Sequence, residues 1–429
     1  MAVKIGNGTW YAEYNDFSGG LNVEQPETNL PDNASPSCNG FMIRNNELRS
    51  WPALTEFTST FLPLYPIYGV TTFLDANSYY HTVIWTGNAG SGTGLYQYNP
   101  AGPEWDFVAN ATPGLLNSIL SYRAFANILY YTSVGIVGPH YGGIGRPTVN
   151  PFLGYWDGIA SNPVYTQTFT DASTSNSYAG VDKTDSPAIG GTLPGGPALT
   201  GPIAIGGAFL GELNNQLILA NVTIADNGNG NKLYNFPNLI WWSANGLPGV
   251  WDPEVNPSAG FNAFLDVADQ ITGLATLGVA GYIFRNYGIT QMAPTGSEAA
   301  PWEFDHMWAS EHGIGNAFPW SIAQYGPTCA FIAQDNIYTL SIAAANPIGG
   351  KARDAIMADI ANSTATPYAN IIPQFNNGFV YLTYQVWIPF ATFVRQYTYS
   401  FEDQNWTPRD LALAQISGAQ QMLCPGNVV

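Results

Sequence analysis

Four histidines, thirty carboxylates and three cysteines carry the reactive chemistry of this 429-residue chain. His306 and His312 stand six apart in HMWASEH. A helix brings residues i and i+4 onto one face, so this spacing is not that of a two-histidine zinc helix. His81 and His140 are isolated. Three carboxylate pairs stand close in sequence: Asp266 with Asp269, Glu303 with Asp305, and Glu402 with Asp403. Two carboxyl groups at a fixed separation are what glycosidic cleavage requires. These acids fall at strand ends and turns, where Asp commonly accepts backbone N–H bonds, so a structural role is favoured. Cys38, Cys329 and Cys424 form no CxxC pair and no disulfide framework. No GxSxG, P-loop or HExxH occurs, and the glycines at Gly142–Gly145 lack the strand-turn-helix setting of a phosphate loop. No Ser–His–Asp set is singled out. The expectation is a non-enzyme with no catalytic, metal-ligating or cofactor-binding residue and no cofactor.

Aromatic side chains (13 Trp, 25 Tyr, 22 Phe) could stack on sugars or bases, but IWWSANG around Trp241 and Trp242 reads as packing. Charge is sparse and lopsided: 30 acidic against 12 basic residues, net −18, with an isoelectric point near 4.3. The four lysines (Lys4, Lys183, Lys232, Lys351) are scattered. Tight nucleic-acid binding needs a positive footprint, which is missing, and an anionic membrane would repel the chain. The sequence has no apolar run long enough to span a bilayer, and MAVKIGNGTWYAEYN has no apolar signal core. The expectation is a soluble protein assembled in the cytoplasm, without membrane insertion.

The elements that would position any site are strands. Only 10% of residues are charged, while 46 Gly and 31 Pro supply turns. That composition excludes a mostly helical chain and points to an all-β one. Two β-rich runs flank each of six turns: Asp75–Ser78, Phe125–Asn127, Leu213–Gln216, Gly278–Gly281, Gln334–Asn336 and Phe375–Gly378. Five of these contain Asn, which favours the left-handed backbone of tight hairpins. In TFVRQYTYSF, alternation puts Phe393, Arg395, Tyr397, Tyr399 and Phe401 on one face. Tryptophan landmarks at 105, 156, 251, 302 and 406 are separated by 51, 95, 51 and 104 residues. A period near 50 residues with about four strands per unit predicts a β-propeller of about six four-stranded blades, seven being the alternative count.

Residues 61–410 form the expected propeller, with a Ser/Thr/Gly/Pro-rich insertion at 160–206 between blades two and three. That insertion reads as an extended loop, the alternative being a small added β-element for a partner. Residues 1–60 form an N-terminal arm and 411–429 a short tail. One of these ends is expected to supply an outer strand that closes the ring, since an open ring leaves strand edges unpaired.

The arm also carries a family resemblance. DFSGGLN (Asp16–Asn22) followed by LPDNASPSCNGFMIRNNELRSWPALTEF (Leu30–Phe57) resembles the opening of short-tailed bacteriophage tail nozzle and hub proteins, the packaged-DNA stabilisation group. That family closes this segment on an Arg-x-Arg-Pro-Gly turn. Here Arg49, Ser50, Trp51, Pro52 and Ala53 stand there, so the second basic residue and the glycine are replaced. WSANGLPGVWDP (Trp242–Pro253) resembles the family's Trp-flanked strand link. ITGLATLGVAGYIFRNYGITQM (Ile271–Met292) with the Gly313–Gly315 turn resembles its middle blades.

The resemblance implies a structural virion protein of the phage tail, one subunit of a ring, commonly a hexamer, below the portal and adaptor. Such a ring holds fibres or a plug and passes genomic DNA without sequence-specific binding. Acidic residues around a DNA channel would repel phosphate and let the genome slide. Two other readings stand beside it. One is a tail-borne propeller that binds or depolymerises glycans. The other is a capsid or tail decoration protein using 160–206 as its contact arm.

Overall fold

The computed structural model describes residues 67–88, 92–112, 121–133, 152–159, 165–166, 203–226, 232–264 and 269–412, less short breaks, together with short stretches in 1–50. His140, Gly142–Gly145, Asp266, Cys38 and Cys424 lie outside the described residues.

Six short strands come first. β1 (Ala2–Ile5) pairs antiparallel with β2 (Thr9–Ala12), β3 (Gly20–Leu21) parallel with β4 (Ala34–Ser35), and β5 (Phe41–Arg44) antiparallel with β6 (Glu47–Ser50). Six four-stranded antiparallel sheets follow, each made of strands consecutive in the chain. Blade one is β7 (Ile67–Leu74), β8 (Tyr80–Asn88), β9 (Gly92–Asn99) and β10 (Glu104–Thr112). Blade two is β11 (Ser121–Phe125), β12 (Ile128–Ser133), β13 (Phe152–Trp156) and β14 (Tyr165–Thr166). Blade three is β15 (Ile203–Leu213), β16 (Gln216–Asp226), β17 (Lys232–Trp242) and β18 (Gly260–Ala263). Blade four is β19 (Ile271–Leu277), β20 (Ala280–Arg285), β21 (Ile289–Pro294) and β22 (Trp302–His306). Blade five is β23 (Ala323–Tyr325), β24 (Thr328–Ile332), β25 (Ile337–Leu340) and β26 (Ala345–Pro347). A single-turn 3-10 segment and the helix α1 (Arg353–Ala361) lead to blade six: β27 (Tyr368–Asn376), β28 (Phe379–Pro389), β29 (Phe393–Ser400) and β30 (Asn405–Ala412).

The core lies between blades, because a four-stranded sheet that is apolar on both faces must be covered twice. Separate apolar clusters join blade one to two around Trp85 and Trp156, two to three around Trp241 and Trp251, and three to four around Trp242 and Ile283. Two more join four to five around Phe284 and Phe331, and five to six around Ile356 and Tyr384. Each fully buried large side chain stabilises by roughly 1.5–3 kcal/mol. Polar bonds cross the same seams. The Tyr122 hydroxyl donates to Val70 O (2.8 Å), Gly207 N to Thr132 Oγ1 (3.0 Å), and the Tyr384 hydroxyl to Ser321 O (2.8 Å). The buried Asn221 sits at a bulge in β16 with φ +54° and donates from Nδ2 to Ile271 O (3.0 Å).

Three expectations are corrected. Among the described residues no blade borrows an outer strand from either end of the chain: all six have four consecutive strands. The arm docks instead of pairing, with β3 and β5 against β30, Leu21 buried in the cluster of blades five and six, and Val23 N donating to Lys351 O (3.2 Å). The turn at Gln334–Asn336 joins the second and third strands of blade five, whose first hairpin turns at Gly326. The tryptophan landmarks are not equivalent. Trp105, Trp302 and Trp406 open fourth strands, Trp156 ends a third strand, and Trp251 lies in the β17–β18 link, where its carbonyl accepts from Trp241 Nε1 (2.8 Å). Their intervals therefore mix blade length with position within the blade. Of residues 160–206, Tyr165–Thr166 is the fourth strand of blade two and residues from Ile203 onward begin blade three; 160–164 and 167–202 lie outside the described residues.

Candidate functional site: the axial cavity

The first strand of each blade (β7, β11, β15, β19, β23 and β27) faces the ring axis, and together with the link before β23 they line a half-open cavity of about 400 Å³. All six blades line it, from Thr72 in blade one to Asn370 in blade six, so the first and last blades border one space. Each of these strands runs from an interblade link toward its hairpin, which orders the lining by depth. Near the hairpin end stand Thr72, Arg123, Glu212 and Gln324, each two or three residues before its turn. Phe209 stands five residues before its turn, about 10 Å deeper than Glu212 at the usual rise per strand residue. Trp320 packs beside it, ring centroids 5.3 Å apart.

Hydrogen bonds between neighbouring blades fix this lining. Leu210 N donates to Ser121 Oγ (2.8 Å), the Thr276 hydroxyl to Glu212 O (3.2 Å), and Thr276 N to Gln324 Oε1 (2.9 Å). Gln324 Nε2 donates back to Thr276 O, so the glutamine amide is spent on structure. The Arg123–Glu212 pair is different. Nε lies 3.8 Å from Oε2, and the side chains are 39% and 36% exposed. That contact is long for a charge-assisted hydrogen bond, so both groups keep unused donors and acceptors facing the cavity.

The residues singled out by sequence are dispersed around the ring. Asp269 is buried and accepts from Asn286 N (3.2 Å) and Tyr287 N (2.9 Å), a structural task. Glu303 and Asp305 are exposed on the outer strand of blade four. Asp403 closes the β29–β30 turn through Ser400, whose hydroxyl donates to Oδ2 (2.9 Å). His306 Nδ1 lies 3.1 Å from both Arg285 Nη2 and the Thr290 hydroxyl. Among the described residues no three His, Cys, Asp or Glu side chains cluster as a metal site. Trp241 and Trp242 are buried, as expected of core.

His81 Nε2 lies 3.2 Å from Asp75 Oδ2, stacked on Phe73 and edge-on to Trp156. Asp75 Oδ1 accepts from Asn77 N (2.8 Å) and Tyr79 N (2.9 Å). The Tyr79 N–H bond, followed by the His81 contact, holds this carboxyl below its usual pKa against the opposing effect of burial. Sequence reasoning did not find Arg123, Glu212 and Trp320. A signal existed, because Arg123 and Glu212 stand three and two residues before the first turn of successive blades.

The arrangement defines a six-bladed β-propeller with a small axial cavity. No protein-family model matches the chain, and no curated protein matches its sequence. Solved structures share the fold. SapL1 lectin in complex with alpha methyl fucoside is 13% identical, with 81% of this chain and 96% of that one covered and a TM-score of 0.36. Aleuria aurantia lectin, described as a six-bladed β-propeller, is 12% identical over 82% and 96% with a TM-score of 0.33. U3-55K is 7% identical over 81% and 83% with a TM-score of 0.34. The likeness is one of fold alone.

Proposed function

We propose that this chain is a structural virion protein, a subunit of the nozzle or hub ring of a short bacteriophage tail. In this reading it forms a homo-oligomeric ring, commonly a hexamer, below the portal and adaptor proteins and holds fibres or a plug. Genomic DNA passes through the lumen between subunits. The observation that carries the reading is the arm. At the end of the DFSGGLN segment, one of those resembling that family, Leu21 and Asn22 are buried, Leu21 in the cluster of blades five and six. The Trp242–Pro253 segment that also resembles the family forms the ordered β17–β18 link, with Trp251 fully buried. A cavity of about 400 Å³ is too small to pass a DNA duplex, so in this reading the genome runs between subunits. The acidic balance of the chain suits a lumen that does not retain phosphate.

The test is negative-stain imaging of the purified chain, with and without an adaptor ring, alongside mass in solution. Closed rings, alone or on the adaptor, support the reading. A monodisperse monomer that stays single with every tail partner refutes it. The alternative reading, a carbohydrate-binding propeller, has its specific support in the chemistry of the axial cavity.

A further inference from the structure

We propose that the axial cavity is a binding site for a neutral saccharide, of one or two pyranose rings, held by Arg123 and Glu212 at the rim with Phe209 and Trp320 below. The site does not depend on the tail reading and would exist in a monomer or a ring.

Charge sets the ligand class first. The rim carries one cation and one anion side by side, so it is neutral overall and offers both donors and acceptors. An anion would meet the Glu212 carboxylate, and a cation the Arg123 guanidinium. Neighbouring hydroxyls of a sugar are donors and acceptors at once. They can accept from the arginine fork while donating to the carboxylate, and the 3.8 Å separation leaves both partners room to do so. The deeper wall supplies the other half of sugar recognition. Trp320, its ring tilted against the buried Phe209, offers an aromatic face to the C–H side of a ring, with Leu274 and Ile322 beside it. About 400 Å³ lies within the size range of small-molecule sites. A fully apolar ligand would leave the rim groups desolvated and unpaired, which disfavours it.

The experiment uses the full chain labelled with 5-fluorotryptophan, the Trp320 resonance being assigned by its loss in Trp320→Phe. The probes are D-glucose, D-galactose, D-mannose, L-fucose and N-acetyl-D-glucosamine, with glycine as the zwitterion and inorganic phosphate as the anion. The expected result is a saturable shift of the Trp320 resonance with at least one sugar and none with glycine or phosphate. Arg123→Ala and Glu212→Gln should each weaken that sugar at least tenfold while leaving the urea midpoint unchanged, because the pair is partly exposed and contributes little to folding. Glu303→Gln, remote on the outer strand of blade four, should bind as the parent does. No shift with any sugar, a shift with glycine or phosphate instead, or sugar binding indifferent to both rim substitutions would each overturn the proposal.

Discussion

The clasp around Arg395 gives a prediction that can be worked through from distances. Its Nε and Nη2 donate to the two oxygens of Asp410 (2.7 and 3.0 Å), and Nη1 donates to Asp359 Oδ2 (3.0 Å), which also accepts from the Tyr397 hydroxyl (2.6 Å). The Asp410 bonds, then Asp359, push the guanidinium pKa further up. This clasp ties α1 to the two outer strands of blade six, the blade on which the arm docks. Removing one partner of a fully buried ion pair costs about 3–5 kcal/mol, whereas an exposed pair contributes about 0–1.

Here the arginine is 28% exposed and the two acids 19% and 31%, so water screens the clasp in part. Interpolating, Arg395→Met should destabilise by about 2–3 kcal/mol. Arg395→Lys retains a charge but no fork and should lose about 1–2 kcal/mol. The assay is urea unfolding followed by circular dichroism and tryptophan fluorescence, with a double-mutant cycle of Arg395→Met and Asp410→Asn. Coupling of about 1–2 kcal/mol is expected for residues in direct contact. If Arg395→Met unfolds within about 0.5 kcal/mol of the parent, or the cycle shows no coupling, the clasp contributes little and the reasoning fails.

Three further outcomes concern glycines, buried phenols and one carboxylate. A Cβ at Gly315 would lie 2.2 Å from Arg285 O and 2.4 Å from Gly288 N, both backbone, so Gly315→Ala should cost about 3 kcal/mol. Gly278→Ala, at φ +65° in open space, should cost only about 1 kcal/mol; equal urea midpoints for the two variants would contradict this.

Burial pushes the Tyr130 and Tyr338 phenols up to about 12 and raises Tyr131, Tyr384 and Tyr397 as well, the last also through Asp359. Their folded values lie above the unfolded one. Their contribution is therefore complete below about pH 10 and is lost as pH rises toward the folded values. These phenolates should appear at 295 nm only as dichroism disappears, and full titration of an intact fold near pH 10 would disprove it.

Asp75 has a lowered pKa, so its contribution is present above about pH 4 and lost as pH falls through the folded value. Asp75→Asn should therefore be less stable than the parent at pH 7 and no different at pH 2. A gap that persists at pH 2 would show that the carboxylate charge is irrelevant.

The ring was legible because local chemistry dictates it. Asn127, Asn214 and Asn215 adopt positive φ in hairpins, as tight turns favour for Asn, and the strands beside them alternate or run apolar. Blade five was misplaced by one strand because its first hairpin turns at Gly326–Pro327 without Asn, between strands of only three and five residues. Helix α1 was not expected, since nine residues in a chain read as all-β carry little periodic signal. The axial cavity could not be read off directly. Arg123, Glu212 and Trp320 are separated by 89 and 108 positions and come to line one cavity only when blades pack side by side, a property of the assembled blades and of no segment within them.

That every blade is built from consecutive strands bears on how the chain comes to be folded. Each four-stranded sheet closes its pairings locally, so a blade can complete while the next is still being synthesised, with little loop entropy to overcome. The arm is the exception. β3 and β5 are made before the blades, yet their surface on β30 does not exist until the sixth blade has formed. The slow, long-range step of folding should therefore come late, when a segment made before the blades settles onto the sixth of them.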